Sequence, residues 1–263
     1  VEKIMVEQLL IKTEDLEDCS VPDANLLVTE DDTPVDNFAS EKQQRLLVGS
    51  LYSSLQQQQF LAAANVAIFH KDTEPAIVPD IFVSFDVQVP ENWWEKQNRC
   101  YLVWKFGKVP EIVIELVSNR EGEELGKKLA TYEQMRVSYY IVYDPQQKLG
   151  NEVLQVYKLH TRRYEKTSET WLAEVGLGLT IWSGEFEGRQ DNWLRWCDQE
   201  GNILLTGDEK AELEKQRAQS AEERAQSAEE RAQSAEERAQ SAEERAQLLA
   251  QKLRELGIDP NHL

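Results

Sequence analysis

Residues 112–117 read IVIELV and residues 139–143 read YYIVY. Unbroken apolar runs of this length, rich in β-branched and aromatic residues, are strands covered on both faces, as in a sheet with helices on either side. Between them, from about Glu121 to Met135, Leu125, Leu129 and Tyr132 recur on one helical face. Strand, helix, strand with both strands apolar is a βαβ unit, and its crossover is expected to be right-handed. Pro110 precedes the first run and Asp144-Pro145 stops the second. A chain built on this unit is an α/β protein.

The segments around it extend the sheet. Residues 1–36 are acidic and irregular, with turn formers at Pro22-Asp23 and Thr33-Pro34. Ser40 is placed to cap a helix carrying Leu46, Leu47, Leu51 and Leu55. Phe60–Phe69 reads as a strand entered from a short helix, Val78–Val83 as a short strand, and Val87–Trp104 as a Trp-rich loop or hairpin. Val153–Leu159 and Arg163–Thr167 alternate like an antiparallel pair. The stretch to Leu205, with four more tryptophans, is expected to close the core.

Beyond Thr206 the chain changes character. RAQSAEE occurs four times in succession from Arg217 to Glu244. Thr206 with Glu209 forms a capping box, and Gly257 and Pro260 mark the helix end. At 1.5 Å per residue this helix would be roughly 75 Å long. Ala218, Ala221, Ala225 and Ala228 fall at coiled-coil seam spacing, although alanine buries little area. Leu248, Leu249, Leu253 and Leu256 offer the better apolar contact. Glu and Arg miss the favourable spacing of four. A solvated spacer helix and a coil that joins a second copy or a protein partner are both open readings.

Composition narrows the function. No apolar run reaches the ~20 residues of a membrane span, and no signal-peptide pattern opens the chain. Cys19, Cys100 and Cys197 are odd in number and far apart, so a reducing, cytoplasmic setting is expected. Only three histidines occur (His70, His160, His262), and no H-E-x-x-H, G-x-S-x-G or Gly-rich phosphate loop is present, which argues against zinc hydrolase, serine hydrolase and NTPase chemistry. The net charge of -19 weighs against a protein that simply grips phosphate. Any nucleic-acid site must concentrate its basic residues locally or work with a partner.

Glu115 stands alone inside the most apolar strand. An ionised carboxylate there costs several kcal/mol unless a cation or hydrogen-bond donors compensate it. It either serves a site, pairs with a lysine, or lies at a strand end near water. Asp80, in VPDIFV, is its natural companion: two carboxylates from neighbouring strands make an oxygen-rich site suited to Mg²⁺ or Mn²⁺.

Asp80, Glu115 and the stretch VSNREGEELGKKLATYEQMRVSYYIVYDP resemble the Uma-type restriction-endonuclease family of the PD-(D/E)XK nuclease superfamily. The resemblance covers roughly residues 40–180, and Glu111–Pro145 is its most specific part. It implies a restriction-endonuclease-like mixed β-sheet flanked by helices over residues 1–206, with a helical heptad-repeat tail at 207–263. It further implies metal-dependent cleavage of phosphodiester bonds, with DNA as the expected substrate. Asp80, Glu115 and the backbone carbonyl of Leu116 would hold Mg²⁺ or Mn²⁺. The superfamily lysine would stand at Val117; the family supplies it from the next helix, where Lys128 matches and Lys127 is the fallback. Glu41 is either a further ligand or a helix N-terminal charge, and Trp93 and Trp94 either line a cleft or pack within their loop. The other class of reading is an inactive nuclease fold that acts as an interaction module through its helical tail.

Overall fold

The computed structural model describes residues 37–71, 74–95, 98–118 and 123–257. The expectations for residues 1–36, for the helix start at Glu121 and for Pro260 lie outside these residues. The first described element is α1 (Phe38–Ser54), whose cap is Asn37 rather than Ser40: the Asn37 side chain accepts from the backbone of Ala39 and Ser40 at 3.0 and 2.9 Å.

A six-stranded mixed sheet follows, in the order β1-β3-β5-β6-β7-β8. Its strands are β1 (Phe60–Ala64), β3 (Ile81–Phe85), β5 (Ile112–Leu116), β6 (Tyr139–Tyr143), β7 (Leu154–His160) and β8 (Arg163–Thr167). Within this sheet β5 and β6 are the parallel pair; they are joined by a π turn (Glu124–Lys128) and α3 (Leu129–Met135), so the βαβ unit forms as its two apolar runs require. A second sheet pairs β9 (Trp171–Leu172), β10 (Leu177–Phe186) and β11 (Arg189–Cys197). Then α4 runs from Gly207 to Glu255 behind the expected Thr206–Glu209 capping box, with none of its residues buried.

Side-chain alternation sorts the sheet into two layers. Ile112, Ile114 and Leu116 pack with Leu47 and Leu51 of α1 and with Leu179, Leu194 and Trp196 of the second sheet. Val113 and Val117 face the other way, onto Tyr132, Met135 and Tyr140. Gln43 fixes α1 to β11, donating to the Leu194 carbonyl at 2.8 Å and accepting from its amide at 3.0 Å.

Several boundaries differ from the sequence reading. Phe60–Phe69 is broken because Asn65 turns left-handed (φ 54°) and donates its backbone N–H to the Asp80 carbonyl; Ile68–Phe69 becomes β2, paired in parallel with β4 (Tyr101–Leu102). Of the two readings of Val87–Trp104, the described residues take the loop, which leads to β4 and the four-residue helix α2 (Val103–Phe106). The strand after Pro79 starts at Ile81, one residue beyond Asp80. Leu125, expected on the inward face, is 38% exposed, because the π turn rotates it away from the α3 stripe.

Candidate active site

Glu115 is the fourth residue of β5, on the face turned towards α3, and only 1% of it is exposed. Both carboxylate oxygens are met from the helical connection. Tyr132 donates its hydroxyl to Oε1 at 2.8 Å, and Lys128 donates its ammonium to Oε2 at 2.9 Å. Lys128 is brought there by the π turn, which begins at left-handed Glu123 and bends sharply at Gly126. Lys127 lies on the exposed side. Of the two neighbouring lysines, Lys128 is therefore the one that reaches β5.

Asp80 comes to the same place from β3. The β3–β5 ladder pairs Ile81 with Ile114, so its next step would set Asp80 opposite Glu115. At that step the Asp80 side chain takes over from the backbone: Oδ2 accepts the Leu116 N–H at 2.7 Å, and Oδ1 accepts from Gln44 of α1 at 3.2 Å. A carboxylate at the mouth of a ladder, held by a strand amide, explains why the strand begins one residue after it.

The electrostatics follow from this crowding. Burial, then the Asp80 charge, pushes the Glu115 carboxyl up to about 8, against the pull of Lys128 and Tyr132. Burial works to lower the Lys128 ammonium, but Glu115 outweighs it and the group ends above the ordinary lysine value. The Tyr132 hydroxyl is driven far up, by burial first and by the Glu115 charge second.

Two further carboxylates border the group. Glu124, 5% exposed, approaches the Lys128 ammonium at 3.9 Å, and its Oε2 is buried without a hydrogen-bond partner. Burial raises its pKa first, with Asp80 and Asp144 adding to the shift against Lys128. Asp144, fully buried after β6, accepts the Leu149 amide on Oδ2 at 2.7 Å and leaves Oδ1 unpaired. A groove of about 500 Å³ opens beside the carboxyl ends of β5 and β6, lined among others by Leu116, Ser118, Tyr143, Lys42 and Arg189.

The sequence reading thus assembled Asp80, Glu115, Lys128 and the Leu116 backbone in one place. It missed Gln44, Glu124 and the Tyr132 hydroxyl as their partners; the available signal was Glu124 standing four residues before Lys128 on a helical segment. Glu41 is turned away, half-exposed in an ion pair with Arg45. Trp93 and Trp94 meet edge to face at 6.0 Å and stay 57% and 78% exposed, on the loop that leaves β3 at its far end from Asp80. They neither line the groove nor pack into their loop. Among the described residues, no group of three or more His, Cys, Asp or Glu is arranged to hold a metal ion, and no helix is long and apolar enough to cross a membrane.

Residues 29–182 match the family described as Uma2, "Putative restriction endonuclease". A solved structure from Anabaena variabilis, described as a putative nuclease belonging to DUF820, is 17% identical over 52% of this chain and 72% of that one, with a TM-score of 0.35. At that score the likeness carries no weight for fold or function. No curated protein matches the sequence.

Proposed function

The chain belongs to the Uma2 family, and on that premise we propose that it is a divalent-metal-dependent nuclease hydrolysing phosphodiester bonds of DNA, with Asp80, Glu115 and Lys128 as its catalytic group. The region ahead of α4 would carry the activity. The observation that supports this reading is the buried Glu115 carboxyl, with the half-buried Asp80 carboxylate repelling it and a lysine ammonium on it.

A divalent cation suits these donors. Asp80 raises the proton affinity of Glu115, and a cation shared by both would reverse that effect. Within a strand, the N–H and C=O of one residue point to the same side. Since the Leu116 N–H reaches Asp80, the Leu116 carbonyl is turned to that side as well. Two carboxylates and a carbonyl are the hard oxygen set of Mg²⁺ or Mn²⁺, which keep waters or phosphate oxygens in their remaining positions. Such an ion would supply Lewis-acid polarisation of the phosphoryl group and activation of water. The protein's own part is positional. Gln44 and the Leu116 amide fix Asp80, Tyr132 fixes Glu115, and Lys128 orients the attacking water or meets the charge that develops on phosphate. The adjacent groove would receive the strand.

The test is cleavage of plasmid DNA by the purified chain with Mn²⁺ or Mg²⁺, compared with Asp80→Asn and Glu115→Gln. Cleavage that needs the metal and disappears in both variants supports the proposal. Cleavage by Glu115→Gln at the parental rate removes Glu115 from it.

One observation favours the second reading, a nuclease fold acting only as an interaction module. Lys128 already neutralises Glu115, while Lys42 and Arg189 in the groove are paired with Glu187 and Asp191. Calorimetric titration separates the two: Mn²⁺ binding that is lost in Asp80→Asn belongs to the nuclease, and no binding at millimolar metal belongs to the module.

A further inference from the structure

The arginines of the α4 repeats carry charges that find no ion-pair partner on the helix they stand on. Ion pairs within one helix form between residues three or four apart. Arg224, Arg231 and Arg238 have only serine or alanine at those distances in either direction. Among the described residues, the ion pair within α4 is Lys215–Glu212, ahead of the repeats. The nearest glutamate downstream of each of these arginines is five residues on, as Glu229 is from Arg224. Five residues is the offset that matters between two helices, not within one.

With Ala218 at heptad position a, Ala221 is d, Glu222 is e and Arg224 is g, and the frame repeats through Glu244. It then runs on without a break, placing Leu249 at d, Leu253 at a and Leu256 at d. Leu249 and Leu256 are 63% and 76% exposed. The apolar seam therefore ends in leucines that nothing covers among the described residues of their own chain.

In a parallel, in-register pair of helices, each g residue faces the e′ residue of the following heptad. Every such contact in the repeats is then Arg against Glu: Arg217 with Glu222 of a second copy, Arg224 with Glu229, Arg231 with Glu236, Arg238 with Glu243. An antiparallel pair sets g against g′ and e against e′, which is Arg on Arg and Glu on Glu throughout. We propose that α4 binds α4 of a second copy of this chain as a parallel, in-register, two-stranded coiled coil. Its orientation is set by the Arg–Glu contacts and its affinity comes mainly from Leu249, Leu253 and Leu256. Alanine seams contribute little burial. They do let two backbones approach closely, and they leave too little apolar width to fill the centre of a larger bundle. Because α4 leaves the body at Gly207, the parallel arrangement sets both bodies at the same end. The proposal does not depend on whether Asp80 and Glu115 cleave DNA.

Light scattering on the full chain at high micromolar concentration and low salt tests it. A mass twice the 30.3 kDa of one chain is expected. The double variant Leu249→Glu/Leu253→Glu should weaken association at least about tenfold, as should Arg224→Glu/Arg231→Glu/Arg238→Glu. Unchanged melting of the body is the control for folding in each variant. Orientation is read by oxidative cross-linking of Ala228→Cys and Ala242→Cys, each alone, against the parent chain. Cross-linking of each variant to itself supports a parallel pair. A monomer at all concentrations, a dimer indifferent to the leucine variant, a larger assembly, or a dimer in which neither position links to itself overturns the proposal.

Discussion

Glu115 of β5 and Glu222 of α4 are the same residue in opposite surroundings. Glu115 is 1% exposed, with a tyrosine hydroxyl and a lysine ammonium on its two oxygens. Glu222 lies on a helix with no buried residue, in a unit that occurs four times over. A charge taken out of water must be compensated at once by particular neighbours, so one such residue can define a site. A charge left in water costs little and contributes little singly, so it acts only in number. The body therefore concentrates its chemistry in a few residues, whereas the tail spreads its preference over many.

The largest effect that follows belongs to the buried residue. Glu115→Gln is expected to reduce metal-dependent cleavage by at least ~10³-fold, on the scale of losing a group that acts in the transition state. The melting temperature should stay similar or rise, because removing a buried carboxylate removes its desolvation cost while Lys128 keeps Glu124 at 3.9 Å. Plasmid cleavage and calorimetry on the same preparation check both halves. A large fall in both together would mean that Glu115 holds the fold rather than the chemistry.

The junction between the regions comes next. Arg195 of β11 is 1% exposed and reaches both oxygens of Glu209, at 2.8 and 2.6 Å; Glu209 also closes the Thr206 capping box. Glu209→Ala leaves a buried guanidinium without its counter-charge and is expected to cost about 3 kcal/mol of body stability in urea unfolding. A loss below about 1 kcal/mol would place this pair with the weak surface charges of the tail.

A smaller and pH-dependent difference separates the two glutamates. The folded state raises the Glu115 pKa from 4.5 to about 8, so it binds that proton more tightly than the unfolded chain does. The stability this contributes is complete below pH 4.5 and is lost as pH rises through about 8, at no more than about 1.4 kcal/mol per pH unit. Urea unfolding of the parent minus that of Glu115→Gln should therefore decline across this window and flatten above it. A difference that stays constant from about pH 5 to about 8 would mean that Glu115 is ionised throughout and fully compensated.

What could be read without coordinates divides along the same line. The parallel β5–β6 pair, the 49-residue helix and its cap follow from periodicity and local chemistry, and Glu115 could be picked out because a lone acid breaks an apolar run. Leu125 was misplaced because a π turn shifts the helical phase, and no residue pattern announces the extra residue in a turn. Gln44, Tyr132 and Arg195 were missed because each acts across 14 or more positions of sequence, or through a hydroxyl on a side chain whose burial was already explained by its ring. Asp80 was weak evidence alone; its meaning comes from the strand register that sets it opposite Glu115.

The smallest expected effect is the one that defines the tail. Arg224→Ala should change the stability of the body by less than about 0.5 kcal/mol, since Arg224 makes no ion pair on its own helix and alanine is the better helix former. Its consequence should appear only in association, as a slight weakening that grows with each further arginine replaced and shrinks as salt is added. Light scattering across a series of one, two and three replacements, at low and high salt, reads that gradation. If the first replacement alone abolished association, the charges would act like Glu115, each one indispensable, and the distinction between a concentrated site and a distributed preference would fail in the region where it was drawn most sharply.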